Sequence, residues 1–322
     1  MAGFLIRRLL VSLVLLAGIS ILSFLIINLA PGGQAALPGS EMNKSFTPQL
    51  QEQMKRQFHY DKPLHVQYVL LMRDLITGEL VSFKDKRPAL GKVLERAPAT
   101  LALSGMAFLI TFSCSLPLGI YSARLRGRWQ DKGVSIFSFA LISLPGFWVA
   151  YMLVFCFVRF FKIPTLGTHT FGVEFSTALG SFADVTWHVF LPAFTLALGG
   201  IANDSRYMRT SMVEALNEDY IRSARAKGLP ELTVVYKHAL RNSLRPIITF
   251  IGFQLPAFLG GSVIIETIFG YPGMGQLMFN AMLERDVPIL MVEIVIASTL
   301  VLVGNLLADI LYSVVDPRVR LN

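Results

Sequence analysis

Few residues of this 322-residue chain are placed to do chemistry. Histidine occurs at His59, His65, His169, His188 and His238. None lies deep within an apolar run, and only His188 begins one. An intramembrane hydrolase needs a nucleophile partnered by a base within the membrane, so a Ser–His dyad has little support. An aspartyl intramembrane protease needs two facing aspartates, and the sequence shows no second one to face Asp309. The two cysteines, Cys114 and Cys156, stand singly inside apolar runs. With no CxxC and no His/Cys cluster, a structural zinc site is not expected, and each thiol reads as a small buried hydrophobe. No G-x-x-x-x-G-K-[ST] occurs, so the chain binds no nucleotide through a P-loop. Glu266, Glu293 and Asp309 lie inside or at the ends of apolar runs. Ionisable groups in a span are costly and usually face the bundle interior or a water-filled cavity. A role lining a path and a role in structure are both open for them, and Asp309 can also snorkel or cap. They form no proton-relay chain.

The densest patterned polar stretch is 206–245. It holds Arg206, Arg209, Arg222, Arg225, Lys227, Lys237, Arg241 and Arg245 against Glu214, Glu218, Asp219 and Glu231. Asn217–Lys227 reads as a short helix with Tyr220 and Ala224 on one face. Gly228 ends it, as glycine does at a helix C-terminus. Leu229-Pro230 follows, and Glu231–Arg241 starts a second helix. Two readings are open: a rigid helix–glycine–helix docking knob, or a solvated charged loop.

The elements that must position these residues are set by composition. The chain is 53% hydrophobic and 16% charged, with a mean hydropathy of +0.56. A soluble domain is about 45–50% apolar and about 25% charged. An ordinary soluble enzyme, a disordered chain and a disulfide-stapled secreted domain are all excluded. About six runs approach the ~20 apolar residues that cross a bilayer: Leu9–Ala30, Ala99–Ser122, Val134–Val158, Trp187–Ile201 (extending toward Arg206), Ile247–Phe269 and Ile289–Val315. The first exceeds a signal peptide's apolar region and reads as an uncleaved helix. The net charge of +8 is a topology signal rather than a nucleic-acid footprint, because cations sit at span ends. Besides the eight in 206–245, Arg7, Arg8, Arg124, Arg126, Arg128, Lys132, Arg318 and Arg320 fall on one side. The short loops opposite carry only Arg159, Lys162 and Arg285. Both termini are therefore expected in the cytoplasm. Segment 31–97 lies outside, with Thr47-Pro48 starting one surface helix through Leu50, Met54 and Phe58, and Pro63–Ile76 forming another.

Helix breakers punctuate the spans: Pro117, Pro145-Gly146, Pro192 and Gly199-Gly200. Gly252, Pro256 and Gly260 share one face of the fifth. Membrane helices tolerate such residues where neighbours or a cavity satisfy the freed backbone groups, and small residues permit close packing. Bundle packing and a flexing, path-lining role both fit. Gly252, Pro256, Gly260, Glu266 and Glu293 are the candidates for a translocation path or gate.

The stretch Asp219-Tyr220-Ile221-Arg222-Ser223-Ala224-Arg225-Ala226-Lys227-Gly228-Leu229-Pro230 resembles the "EAA" loop of binding-protein-dependent ABC importer permeases. Arg222-Ser223-Ala224 occupies the triplet and Gly228 the glycine, while His238-Ala239-Leu240-Arg241 occupies the I-x-L-P part with Arg241 in place of proline. Ala224, Gly228 and Leu240 match the general pattern. The wording DYIRSARAKG…HALRN is similar to the dipeptide/oligopeptide/nickel subfamily. Further segments match it in order: Arg7-Arg8-Leu9-Leu10, Ala30-Pro31-Gly32, Asp61-Lys62-Pro63-Leu64, Gln67-Tyr68, Arg96-Ala97-Pro98-Ala99-Thr100-Leu101, Glu266-Thr267-Ile268-Phe269, Pro272-Gly273-Met274-Gly275, Arg285-Asp286 and Asp316-Pro317-Arg318. Together they resemble the B-type permease of that subfamily along nearly the whole chain.

The resemblance implies an all-α integral membrane protein with six transmembrane helices in the type I ABC importer permease fold. Residues 1–30 would form the cytoplasmic N-terminus and first span, 31–97 the extracytoplasmic segment, and 98–322 a five-helix core with its coupling loop at 206–245. In that loop Asp219, Tyr220, Arg222, Ser223, Ala224, Ala226, Lys227, Gly228, Leu229, His238 and Leu240 would couple to an ATPase. It implies as partners a homologous C-type permease, two ATPase subunits, an extracytoplasmic substrate-binding protein and the lipid bilayer of a bacterial-type inner membrane. No cofactor would be held by this chain, with ATP and Mg on the ATPases. Di- or oligopeptides are the first expectation for the cargo. Nickel chelates, opines and glutathione-like solutes are the alternatives. A secondary transporter is the rival class, but such folds commonly show internal repeats and none is evident.

Overall fold

The first helix, α1 (Ala2–Leu29), is apolar around its whole circumference. Ile6, Leu9, Leu10, Leu13, Val14 and Leu22 are all exposed in the protein alone, as expected for a helix whose solvent is lipid. The computed structural model describes residues 2–29, 59, 61–170, 172–173, 177–244, 247, 252, 254 and 262–315, with end side chains only between Ile6 and Ile310. The surface helix expected from Thr47-Pro48 through Phe58, the positions Pro256 and Gly260, most of the fifth span, and Arg318 and Arg320 lie outside the described residues.

Among the described residues ten further helices follow: α2 (Leu64–Thr77), α3 (Ala89–Arg124), α4 (Trp129–Ser143), α5 (Gly146–Cys156), α6 (Ala178–Leu216), α7 (Asp219–Ala226), α8 (Glu231–Thr233), α9 (Val263–Ile268), α10 (Met274–Glu284) and α11 (Val287–Val315). Phe157–Phe161 and Val234–Ala239 are π-helical turns continuing α5 and α8. Among the described residues strand pairing is limited to one isolated bridge, Val81 with Pro88. Helices α1, α3, α6 and α11 are long and apolar enough to cross a membrane, and α4 with α5 makes a fifth span if the bent pair is counted as one.

The helix boundaries depart from the apolar runs in three places. Helix α3 starts at Ala89, not Ala99, so the end of the expected outer segment is already helical. Helix α6 runs unbroken from Ala178 to Leu216, through Pro192, Gly199 and Gly200, and takes in the first part of the expected 206–245 loop. Val134–Val158 is not one straight span. It breaks at Leu144–Pro145, and α4 and α5 meet at 101°. The residue before a proline is pushed out of the helical region. Leu144 accordingly sits at φ −88°, ψ 130°. Helix α5 then restarts with the Trp148 and Val149 amides donating to the Pro145 carbonyl. Pro192 and the glycine pair do not break α6, because the helix packs through them.

The chain forms two compact units, Met1–Ala99 with Pro272–Leu302, and Thr100–Tyr271 with Val303–Asn322. In the first, Leu75, Leu80, Ala89, Val93, Met274, Ile289 and Val292 form the core. Helix α2 begins after Pro63, as expected, and Gly78 ends it at φ +76°. Tyr68 ties α2 to α1 by a 2.7 Å hydrogen bond with Ser20 and an edge-on contact with Phe24.

In the second unit α3 and α6 pack at glycines. A Cβ added to Gly119 would come within 2.6 Å of both the Met208 Cβ and the Ser205 carbonyl, and one on Gly200 within 2.8 Å of the Thr111 methyl. Gly200, and not Gly199, therefore marks a helix crossing in which small residues permit close approach. Gly252 is similar, with an added Cβ lying 3.4 Å from that of Ala308.

Candidate functional site

Helix α7 is short and carries charge at both ends. Asp219 lies in its first turn and Arg225 in its last, the arrangement that complements a helix dipole. Its termination is geometric. Gly228 has φ +73°, its amide donates to the Arg225 carbonyl at 2.9 Å, and the Leu229 amide reaches the Ala224 carbonyl at 3.4 Å. This pair of bonds is a Schellman motif, which satisfies carbonyls that the helix end would leave orphaned. An added Cβ at Gly228 would meet nothing within 4 Å. The glycine is needed for its left-handed backbone, and crowding within this chain plays no part.

Pro230 then starts α8. Arg225 grips Glu231 with two hydrogen bonds, Nη2 to Oε1 at 2.8 Å and Nε to Oε2 at 3.2 Å. The Arg225 guanidinium holds the Glu231 carboxyl below the ordinary glutamate range, with Arg124 adding a smaller pull. The two short helices are thus clamped across the glycine turn.

The inner face of this unit is dry. Ile221 and Ala224 are buried against Met208, Met212 and Ala215 of α6, with Val234, Val235 and Ala239 of the α8 segment. The buried face of α7 is therefore Ile221 and Ala224, three residues apart, while Tyr220, which the spacing puts on one face with Ala224, is exposed. The outer face exposes Asp219, Tyr220, Arg222, Ser223, Ala226 and Lys227, with Asp219 and Arg222 paired at 3.2 Å. Leu229 is exposed, His238 is half-buried in the π-helical turn, and Leu240 packs on the core. Of the residues named from the sequence, Ala224 and Leu240 position the knob, and the outward group forms its surface. A solvated loop would have no such core.

The charged residues of the sequence motifs mostly serve as locks. Glu266 is fully buried and accepts from Thr100 Oγ1 at 3.0 Å, joining two of the quoted segments. Burial, and behind it the Glu266 charge, pushes the adjacent Tyr271 phenol above its ordinary value. Glu293 is 2% exposed on α11, and Asp309 is half-buried farther along it. Asp286 of the Arg285-Asp286 segment accepts from the Ser82 hydroxyl and from the Phe83 amide at 3.2 Å. Gln67 donates to the Lys62 carbonyl at 2.7 Å.

Two features escaped the sequence. Asp131, 4% exposed in the first turn of α4, accepts from Ser122 Oγ at 2.6 Å, from the Gly127 amide at 2.9 Å, and from Arg209 through Nε at 2.6 Å and Nη2 at 2.8 Å. It joins α3, α4 and α6 beside the knob. The second is a cavity of about 530 Å³ along α6, lined by Gly200, Asn203, Asp204, Arg206, Tyr207, Thr210 and Gln254. Asp204 is buried within it. Asp204 lies past Ile201, in the stretch by which the fourth apolar run extends toward Arg206, and nothing in the hydropathy of that stretch singles it out. A charged residue spaced a turn beyond a glycine pair on a helix was the available signal.

Two family models cover most of the chain. Binding-protein-dependent transport system inner membrane component matches residues 115–321, and the N-terminal portion of binding-protein-dependent transport system membrane components matches residues 1–104. The oligopeptide transport system permease protein AppB of Bacillus subtilis is 38% identical over 99% of this chain and 100% of its own length. The dipeptide transport system permease protein DppB of Escherichia coli K12 is 32% identical over 99% of each chain. Among solved structures, the inward-facing MetNI methionine ABC transporter matches with a TM-score of 0.57 at 16% identity, over 71% of this chain and 99% of that one. The structural match shows a shared fold.

Proposed function

We propose a role for this chain from one premise: it belongs to the family of binding-protein-dependent transport system inner membrane components. It is a multi-pass protein of the bacterial inner membrane and a permease component rather than a catalytic subunit. The cargo is peptide, a reading carried by full-length similarity to oligopeptide and dipeptide permeases. The chain forms half of the translocation path and pairs with a homologous second permease. Two ATPase subunits hold ATP and Mg, and an extracytoplasmic binding protein delivers the peptide. Six spans with both termini in the cytoplasm complete the reading, supported by five candidate spans among the described residues and by the cation distribution.

Coupling falls to the α7 knob. Its outer residues Asp219, Tyr220, Arg222, Ser223, Ala226 and Lys227 enter a groove on an ATPase. The Schellman turn and the Arg225–Glu231 clamp make the knob stiff, and the dry core under Ile221 and Ala224 carries its motion into α6. Gly252, Pro256, Gly260, Glu266 and Glu293 remain the proposed path and gate positions, with Gly252 acting through its packing on α11.

Comparative uptake by a deletion strain tests the cargo. Labelled dipeptide uptake is expected to fall to background and return on complementation, with nickel uptake unchanged. A fall in nickel uptake with peptide uptake intact would assign the importer to metal chelates.

A further inference from the structure

The α6 cavity is lined by one acidic and one basic side chain in an otherwise neutral wall. The acidic one, Asp204, is 2% exposed. Its Oδ1 accepts from Gln254 Nε2 at 3.0 Å. Its Oδ2 is buried with no hydrogen-bond partner among the described residues. A carboxylate is an acceptor with lone pairs on both oxygens, and burying one unsatisfied is costly unless a donor arrives. Arg206 does not supply it. Its guanidinium lies over the Phe139 ring, 4.3 Å from the centroid.

The volume of about 530 Å³ is within the range of small-ligand sites. A group that satisfies Oδ2 must donate, must fit a cavity reached along a spanning helix, and gains most if it is a cation. We infer that the Asp204 cavity is a transient subsite of the translocation path that takes the α-ammonium group of a peptide in transit. Gln254 orients the carboxylate, and Arg206 faces the same cavity as a partner for the peptide's carboxylate end. The inference rests on the peptide reading above. Because the ammonium group is common to all unblocked peptides, the subsite would recognise the class and leave side chains unread, as a permease fed by a binding protein requires.

The test uses the complete importer in liposomes with saturating peptide-loaded binding protein, an unblocked labelled dipeptide as probe, and the variants Asp204→Asn and Asp204→Glu. Asp204→Asn keeps the shape and the bond to Gln254 but removes the charge. It is expected to lower the maximal uptake rate about tenfold, the difference between a charge-assisted and a neutral hydrogen bond. The KM for loaded binding protein and copurification with the second permease and ATPases are expected to stay unchanged. Asp204→Glu is expected to recover at least half of the rate. Wild-type uptake by Asp204→Asn would overturn the inference, as would equal impairment of both variants, which assigns geometry rather than charge. Loss of copurification in Asp204→Asn would overturn it too, assigning the carboxylate to a cation of the second permease. Failure of the unmodified importer to carry the dipeptide at all would instead sink the peptide reading.

Discussion

Asp131 and Arg209 sit 78 residues apart in the chain and meet through two hydrogen bonds. From the sequence, Arg209 counts only as one of many cytoplasmic cations, and Asp131 as an ordinary acid after a basic loop. Nothing local announces the pair, because its partners come from α3, α4 and α6. The pair is strongly asymmetric in burial, with side chains 30% and 5% exposed for Arg209 and Asp131. Removing the carboxylate strands a guanidinium together with the Ser122 hydroxyl and the Gly127 amide. Breaking a fully buried pair costs about 3–5 kcal/mol. With Arg209 partly wetted, Asp131→Ala is expected to cost about 2 kcal/mol. A thermal melt of the purified importer in detergent checks it. Replacing both residues by apolar ones of similar size should recover most of the loss, since the penalty is the stranded charge. Equal destabilisation of the single and double variants would show that the pair itself is not what stabilises this corner. The motif residues Thr100, Glu266 and Asp286 follow the same pattern. Their spacing in sequence marks the family, yet each acts through a partner that only the fold supplies.

Between Asp219 and Ala239 the sequence is legible as helix, glycine, helix, and the structure keeps that order. The apolar spacing of Ile221 and Ala224 is there to read beside that of Tyr220 and Ala224, and spacing alone does not say which of Tyr220 and Ile221 turns inward. Tyr220 is placed beside the charged residues of the outer face, while Ile221 falls over Met208 and Met212. The π-helical turn Val234–Ala239 was not legible. An added residue per turn leaves no mark in composition, and such turns recur at functional sites because they re-aim side chains. Gly228 carries the testable weight. At φ +73° with open space around it, a side chain costs backbone strain and no clash. A non-glycine residue in this region costs about 1–2 kcal/mol, asparagine less. The expected order of coupled uptake is glycine, then asparagine, then alanine, then valine, with membrane insertion equal throughout. The ratio of peptide carried to ATP hydrolysed in reconstituted importer reads it. Equal coupling in Gly228→Val would mean that the turn does not transmit motion.

At the scale of the whole molecule the informative quantity is where charge is absent. Helix α1 exposes leucine, isoleucine and valine over most of its surface, away from the Ser20–Phe24 face that packs on Tyr68, and Phe137, Phe139, Phe155, Phe160 and Phe161 are exposed on α4 and the α5 segment. Water is a poor neighbour for such surfaces, and lipid is the solvent they suit. The number of spans was only partly legible. A hydropathy run cannot reveal that Pro145 turns the third span through 101°, because proline and glycine count as mildly apolar there while their backbone decides the path. Orientation rests instead on cations, which cross a membrane poorly when held in short loops. The loop after α3 holds Arg126 and Arg128, the knob holds Arg222 and Lys227, and the stretch after α5 has Arg159 and Lys162. With Cys114 and Cys156 replaced by alanine, single cysteines at positions 127 and 228 are expected to react with an impermeant maleimide only after the membrane is opened. Cysteines at 78 and 167 are expected to react in intact spheroplasts. Each of these positions is a glycine at positive φ in a turn, so all four test cysteines carry comparable strain and none disturbs a packed helix face. The reverse labelling pattern would invert the topology and put the knob on the side away from any ATPase. Agreement at 127 and 78 with the reverse result at both 167 and 228 would make the bent α4–α5 pair a re-entrant hairpin. The chain would then cross one time fewer between Gly127 and α6, and an even number of crossings could no longer place both termini inside.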